Sequence, residues 1–212
     1  MQDRGTIDPP VPAAALIRRR WASLARRVAQ LASCAAFFCG SGCSSDDESP
    51  TPSADNLAVN EISAAGSEWL ELYHWGGGEL DLAQYGLTDT DEDTGLPRTD
   101  KALRLPAGTQ LASGGFLLIL MGKQDTPPGP YAKEACLPDV DSGCLYAAFS
   151  ISEARGEAVH LITPDNEALL NLNFPTNLAA PAESNSTVCR LPDGTGELTT
   201  CVPSPGAPNR AQ

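Results

Sequence analysis

The densest chemistry in this 212-residue sequence is the run Asp89-Thr90-Asp91-Glu92-Asp93-Thr94-Gly95. Alternate carboxylates in a loop can point at one hard cation, and calcium takes six to eight oxygens. Asp89, Asp91 and Asp93 occupy the first, third and fifth positions of a twelve-residue calcium loop. The glycine, Gly95, falls one position late, Asp100 stands where the closing Glu is usual, and the flanking stretches lack helical periodicity. Two readings stay open: a calcium site at Asp89, Asp91 and Asp93, or a solvated acidic turn with no ligand. The second is the simpler.

The sequence has two histidines. His160 sits in Val159-His160-Leu161, an alternating pattern that predicts a solvent-facing strand residue. His74, beside Trp75 at a strand end, is a candidate to line a binding patch. No G-x-S-x-G elbow, P-loop or H-E-x-x-H motif occurs. The expectation is therefore a non-catalytic protein with no cofactor beyond the possible calcium. The alternative is a hydrolase with a site around His74 and the acidic loop.

Seven cysteines are present. Cys34, Cys39 and Cys43 lie near the N-terminal apolar stretch, and Cys136, Cys144, Cys189 and Cys201 lie in the body. Four cysteines in an exported chain suggest disulfides, with three possible pairings. Proximity favours Cys136–Cys144 and Cys189–Cys201, each closing a short loop. Zinc needs close Cys or His pairs, and there is no C-x-x-C.

Charge divides by position. Arg4, Arg18, Arg19, Arg20, Arg26 and Arg27 precede Cys43, against only Asp3 and Asp8. The remainder carries eight basic and 25 acidic residues, a net charge of −17. Such a body repels nucleic acid, so no nucleic-acid partner is expected.

Arg18 to Arg27 reads as a basic n-region and Val28 to Phe38 as an apolar h-region, too short to span a bilayer. Gly40-Ser41-Gly42-Cys43 follows and resembles the lipobox of bacterial lipoproteins. That resemblance implies cleavage before Cys43 and lipidation of its thiol, giving a membrane anchor. The family usually has Leu where Gly40 stands. Leu31-Ala32-Ser33-Cys34 fits the local pattern better but leaves almost no h-region after Arg27, and Cys39 is a further alternative. Ser44, not Asp, follows Cys43, which by the same resemblance directs the protein to the outer membrane or cell surface.

These features divide the chain into residues 1–42, an N-terminal extension with a signal peptide; 43–56, a flexible acidic tether rich in Ser and Pro; and 57–209, a folded domain. Strand-like runs recur at Leu57–Ile62, Trp69–Tyr73, Leu80–Leu82, Tyr85–Leu87, Leu103–Leu105 and Phe116–Met121. They resume at Leu145–Phe149, Ala158–Ile162, Ala168–Leu172 and Ser186–Leu191. Phe116–Met121 is the most apolar run and predicts a strand buried on both faces. Pro203–Gln212 reads as a Pro-rich tail. Many short strands separated by turns predict an all-β sandwich.

Several phrases resemble the lamin-tail domain family. They are Val59-Asn60-Glu61-Ile62, Glu68-Trp69-Leu70-Glu71-Leu72-Tyr73, Leu80-Asp81-Leu82 with Tyr85-Gly86-Leu87-Thr88-Asp89, and Leu105-Pro106-Ala107-Gly108-Thr109 with Leu111-Ala112-Ser113-Gly114-Gly115-Phe116. Cys189-Arg190-Leu191-Pro192-Asp193-Gly194-Thr195-Gly196 and Ser204-Pro205-Gly206-Ala207-Pro208-Asn209 complete the series, which covers residues 57–209. The resemblance implies an immunoglobulin-like β-sandwich with Trp69, Leu70 and Leu72 in its core. His74-Trp75 departs from the usual Asn-Pro, and the Cys-bearing stretch near residues 124–144 is unusual. The functional expectation is a binding or scaffolding module whose partner is an envelope protein or a surface ligand; a calcium-binding structural surface protein is a further alternative.

Overall fold

A computed structural model describes residues 52–53, 55–122, 129–131, 136–137, 144–152, 155–178 and 185–212. The protein is all-β, with one 3-10 turn at Thr99–Lys101 among the described elements. In chain order the strands are β1 (Leu57–Ser63), β2 (Trp69–His74), β3 (Glu79–Asp81), β4 (Gly86–Asp89), β5 (Leu103–Arg104), β6 (Gln110–Ala112) and β7 (Phe116–Met121). Then come β8 (Gly129–Tyr131), β9 (Cys144–Ala147), β10 (Ala158–Ile162), β11 (Ala168–Asn173), β12 (Thr187–Leu191), β13 (Glu197–Val202) and β14 (Arg210–Ala211).

The strands form an eight-stranded sheet in the order β14-β13-β12-β1-β2-β7-β9-β8, a four-stranded sheet β11-β10-β4-β5, and a ribbon β3-β6. Side chains from both larger sheets meet in one apolar cluster, the arrangement of a β-sandwich. Alternation along each strand builds it. Leu70 and Leu72 of β2 face inward with Ile119 of β7, opposite Leu87 of β4 and Val159 and Leu161 of β10. Each fully buried Leu of this kind contributes about 2 kcal/mol through area removed from water.

A β-bulge interrupts β1. Val59 pairs with Leu72 and Glu61 with Glu71, so Asn60 is the extra residue. The bulge lets Val59 and Ile62 both reach the core while Glu61 turns to the outer face of the large sheet.

Four expectations need correction. Trp69 is not in the main core; strand alternation puts it on the opposite face from Leu70 and Leu72, in a small patch with Leu118 and Cys144. Strand β7 is not buried throughout, because Phe116, Leu117 and Leu120 stay partly exposed. Its apolar run instead suits a central strand that pairs antiparallel with β2 and parallel with β9. The end of the tether is structured: Ser53 N donates to Asn56 Oδ1, Asn56 N to Ser53 O, and Trp75 N to Asn56 O. Finally, residues 203–212 are not a loose tail. They form a loop over the large sheet and then strand β14, which pairs with β13.

Candidate functional site

Strands β4 and β10 lie side by side with Thr88 opposite His160, and β11 places Asn171 opposite His160 on the other side. These residues share one face of the small sheet, the face opposite Val159 and Leu161. A cleft of about 510 Å³ opens there, lined by Thr90, Glu92, Arg155, Glu157, His160 and the amides Asn171 and Asn173, among others. That volume lies in the usual range for small-molecule sites.

Within the cleft, Thr90 Oγ1 is 2.9 Å from His160 Nε2. Arg155 Nη1 and Glu92 Oε1 form an exposed ion pair at 3.0 Å. His160 is buried rather than solvent-facing, because the loop after β4 folds over it. Burial pushes its imidazole pKa down, so the ring is neutral near pH 7. Its Nδ1 is buried without a hydrogen-bond partner among the described residues.

The acidic loop forms one wall of this cleft. Asp91 Oδ1 accepts hydrogen bonds from Asp93 N, Thr94 N and Thr94 Oγ1, a turn in which the side chain replaces a backbone acceptor. These bonds, led by that of the Thr94 hydroxyl, hold the Asp91 carboxyl below its ordinary pKa. Asp89 and Asp91 both face Arg98, at 3.7 and 3.8 Å. Burial nonetheless raises the Asp89 pKa, with Arg98 opposing it. Asp93 points its carboxylate into neither contact. Among the described residues, no group of three or more His, Cys, Asp or Glu side chains is arranged to hold a metal ion. Arg98 supplies the positive charge at Asp89 and Asp91 that a cation would otherwise bring.

His74 does not line a surface patch. It is fully buried, with its backbone bonded to Gly114 and Gly115. The histidine beside the acidic loop is His160. The neighbour of His74, Trp75, lies against Gly194, where a Cβ would come within 2.4 Å of its ring. Gly194 has φ +71°, a left-handed conformation that favours glycine.

A second polar cluster covers the outer face of the large sheet. Glu61 and Glu71, opposite each other on β1 and β2, are both fully buried. Glu61 accepts from the Thr187 hydroxyl, from Ser204 N at 3.2 Å and from Ser204 Oγ at 3.0 Å. Glu71 accepts from Gly206 N. Beside them, Asn60 Nδ2 donates to Asp193 Oδ1 at 2.9 Å, and Gly194 N donates to Asn60 Oδ1 at 2.8 Å. Asn209 N donates to the same Asp193 oxygen, and Asn209 Nδ2 donates to the carbonyls of Asn60 and Arg190.

Reasoning from sequence named His160 and the acidic loop but not the cleft they share with Asn171 and Asn173, and named Glu61 and Glu71 as motif residues but not the cluster they form. Asn171 and Asn173 carried a weak signal, polar residues two apart in an apolar strand. Glu61 and Glu71 carried a stronger one, a carboxylate inside each of two apolar runs.

Both body disulfides, Cys136–Cys144 and Cys189–Cys201, are present. The second ties β12 to β13. The leader, the lipidation candidate Cys43 with its alternatives Cys34 and Cys39, and most of the tether lie outside the described residues. No family model and no curated protein matches the chain.

Proposed function

We propose that this chain is an exported lipoprotein whose lamin-tail-like, immunoglobulin-like sandwich is a non-catalytic binding module at the cell envelope. The observation that carries the binding role is the cleft around His160. Its walls combine a hydroxyl, a neutral imidazole and two amides, which both donate and accept hydrogen bonds. Its rim charges Arg155 and Glu92 neutralise each other, and the remaining acid, Glu157, accepts from Ser152 N. Such a lining suits an uncharged hydrophilic group, from a surface ligand or an envelope protein.

The lamin-tail reading draws support from the second cluster. Asn60, Glu61, Glu71, Asp193, Ser204 and Asn209 belong to motif phrases scattered along the chain, and all meet on one sheet face. That gives those residues a structural role. The anchor reading rests on the basic n-region, the apolar stretch and Cys43.

A hydroxyl beside an imidazole, as in Thr90 and His160, is the start of a nucleophile–base pair. A triad also needs a group orienting the base from Nδ1, and no described residue bonds that atom. Binding is therefore the better reading.

Two measurements test the proposal. Mass spectrometry of the mature N-terminus, with membrane fractionation, should find acylated Cys43 in the membrane fraction; an unlipidated soluble product would overturn the anchor. For binding, envelope extracts should yield a ligand retained by the wild-type protein and lost on Asn171→Ala. Retention that is unchanged by Asn171→Ala and Asn173→Ala together would sink the cleft assignment.

A further inference from the structure

The loop between β13 and β14 is fastened to the sheet by carboxyl groups in an unusual condition. Glu61 and Glu71 face each other across neighbouring strands, and both are withdrawn from solvent. A buried carboxylate needs a paired cation, a metal or a proton. No ion-pair partner lies within 4.0 Å of either among the described residues. Arg190, on the adjacent β12, is committed to backbone: its Nε donates to Val59 O and its Nη1 to Gly196 O. Asp193, in the turn after β12, adds a third acid on the same side. The covering loop brings Ser204, Gly206 and Asn209, none of which titrates or carries charge. From β7, the residue opposite Glu71 is Leu118. Among the described residues no group of three or more carboxylate, imidazole or thiol side chains is arranged to hold a metal here, which leaves a proton as the means of neutralisation.

We propose that Glu71 carries that proton and acts as a proton-dependent latch, holding residues 203–209 over the sheet and letting them lift when it ionises. The loop touches both carboxyls directly, through Ser204 on Glu61 and Gly206 on Glu71. Ionising the second would leave two buried negative charges on adjacent strands. Glu71 Oε1 is buried with no hydrogen-bond partner among the described residues, and the Gly206 amide and the Asn60 side chain, the groups that favour the charged form, are outweighed by burial. Lifting the loop admits water to both carboxylates. Burial, followed by the proximity of Glu61, pushes the Glu71 pKa up to about 8, which places the transition on the alkaline side of neutral. The device is independent of the cleft and of the membrane anchor.

The test is NMR on the intact protein without its leader. The Glu71 carboxyl carbon should titrate on the alkaline side of neutral. The amide protection factors of Ser204, Gly206 and Asn209, corrected for intrinsic exchange, should fall at least tenfold from pH 6 to pH 9.5. In Glu71→Gln the same amides should hold constant protection over that range, and in Glu61→Gln the Glu71 midpoint should move down. Constant protection in the wild type, or an equal loss in Glu71→Gln, would overturn the latch. If Glu71→Gln does not fold, the carboxyl titration decides alone: a Glu71 midpoint in the ordinary carboxylate range overturns it.

Discussion

The side chains of Asn60 and Asp193 are hydrogen-bonded at 2.9 Å although 133 positions separate them. Asn60 is the extra residue of the β1 bulge, and Asp193 starts the turn between β12 and β13. One side chain thus joins the first strand to the β12–β13 hairpin. It also receives the Gly194 amide. Asn60→Ala would leave the buried Gly194 amide without its partner and take one donor from half-buried Asp193, which keeps Asn209 N, at a cost of about 2 kcal/mol. Urea unfolding should report this as a lower midpoint with an unchanged slope. A change under about 0.5 kcal/mol, the ordinary range for surface substitutions, would mean that the bond contributes little.

Gly194→Ala makes a separable prediction. The alanine must adopt a φ of +71° and place its Cβ within 2.4 Å of Trp75. The backbone conformation alone costs about 1–3 kcal/mol, and the ring must also move. Adding Trp75→Ala should recover the steric part and leave the backbone part. Thermal melts of the single and double variants separate the two; full recovery would remove backbone strain from the account.

Stability should also depend on pH through His160. Its folded pKa lies below the unfolded value of about 6.5, because burial disfavours the charged ring. The unfolded chain therefore binds more protons as pH falls through that value. The contribution of His160 is complete above about pH 6.5 and is lost progressively below it. His160→Gln should flatten this limb between pH 7 and 5 in chemical denaturation. An identical slope in the variant would place the dependence on other groups.

Calcium should leave the protein unchanged. Asp91 is occupied by Thr94 and Asp93 donors, and both Asp89 and Asp91 already face Arg98. We expect no binding heat and no shift in Tm at millimolar calcium. In Arg98→Gln, calcium affinity should rise, since the cation that balances the two carboxylates is gone. A measurable heat in the wild type would mean that the loop rearranges around the ion.

The Cys189–Cys201 bridge closes a loop of 12 residues between β12 and β13. Replacing both cysteines with serine should cost about 3 kcal/mol, the entropic constraint expected for a short loop. Equilibrium unfolding under identical buffer conditions checks this. A loss below about 1 kcal/mol would mean that strand pairing alone constrains the hairpin.

The strands that frame the core were readable because period-two alternation is local. Leu57–Ile62, Trp69–Tyr73 and Ala158–Ile162 fall within a residue of β1, β2 and β10. Strand β13 escaped because Glu197-Leu198-Thr199-Thr200-Cys201-Val202 alternates weakly and packs against the main core through Leu198, itself only partly buried. The final segment escaped for a different reason. Its Pro and Gly content describes a loose chain, while its order comes from bonds to Glu61, Glu71 and Asn60 far away in sequence. The cleft was hidden likewise: alternation put His160 on the outer face, but nothing local says that the residue 90–98 loop returns to cover it.

The strand order carries a consequence for how the molecule comes into being. β12, which lies beside β1, is synthesised after β1 to β11. Until it arrives, the edge of β1 has no neighbour on that side, and the bulge residues have no acceptors or donors to meet. Contacts between segments far apart in sequence make folding slow, because loop closure must precede its reward. The nascent chain therefore has no early native resting point: maturation waits for Asn209, and a product that stops at Val202 should persist as an open, protease-sensitive intermediate.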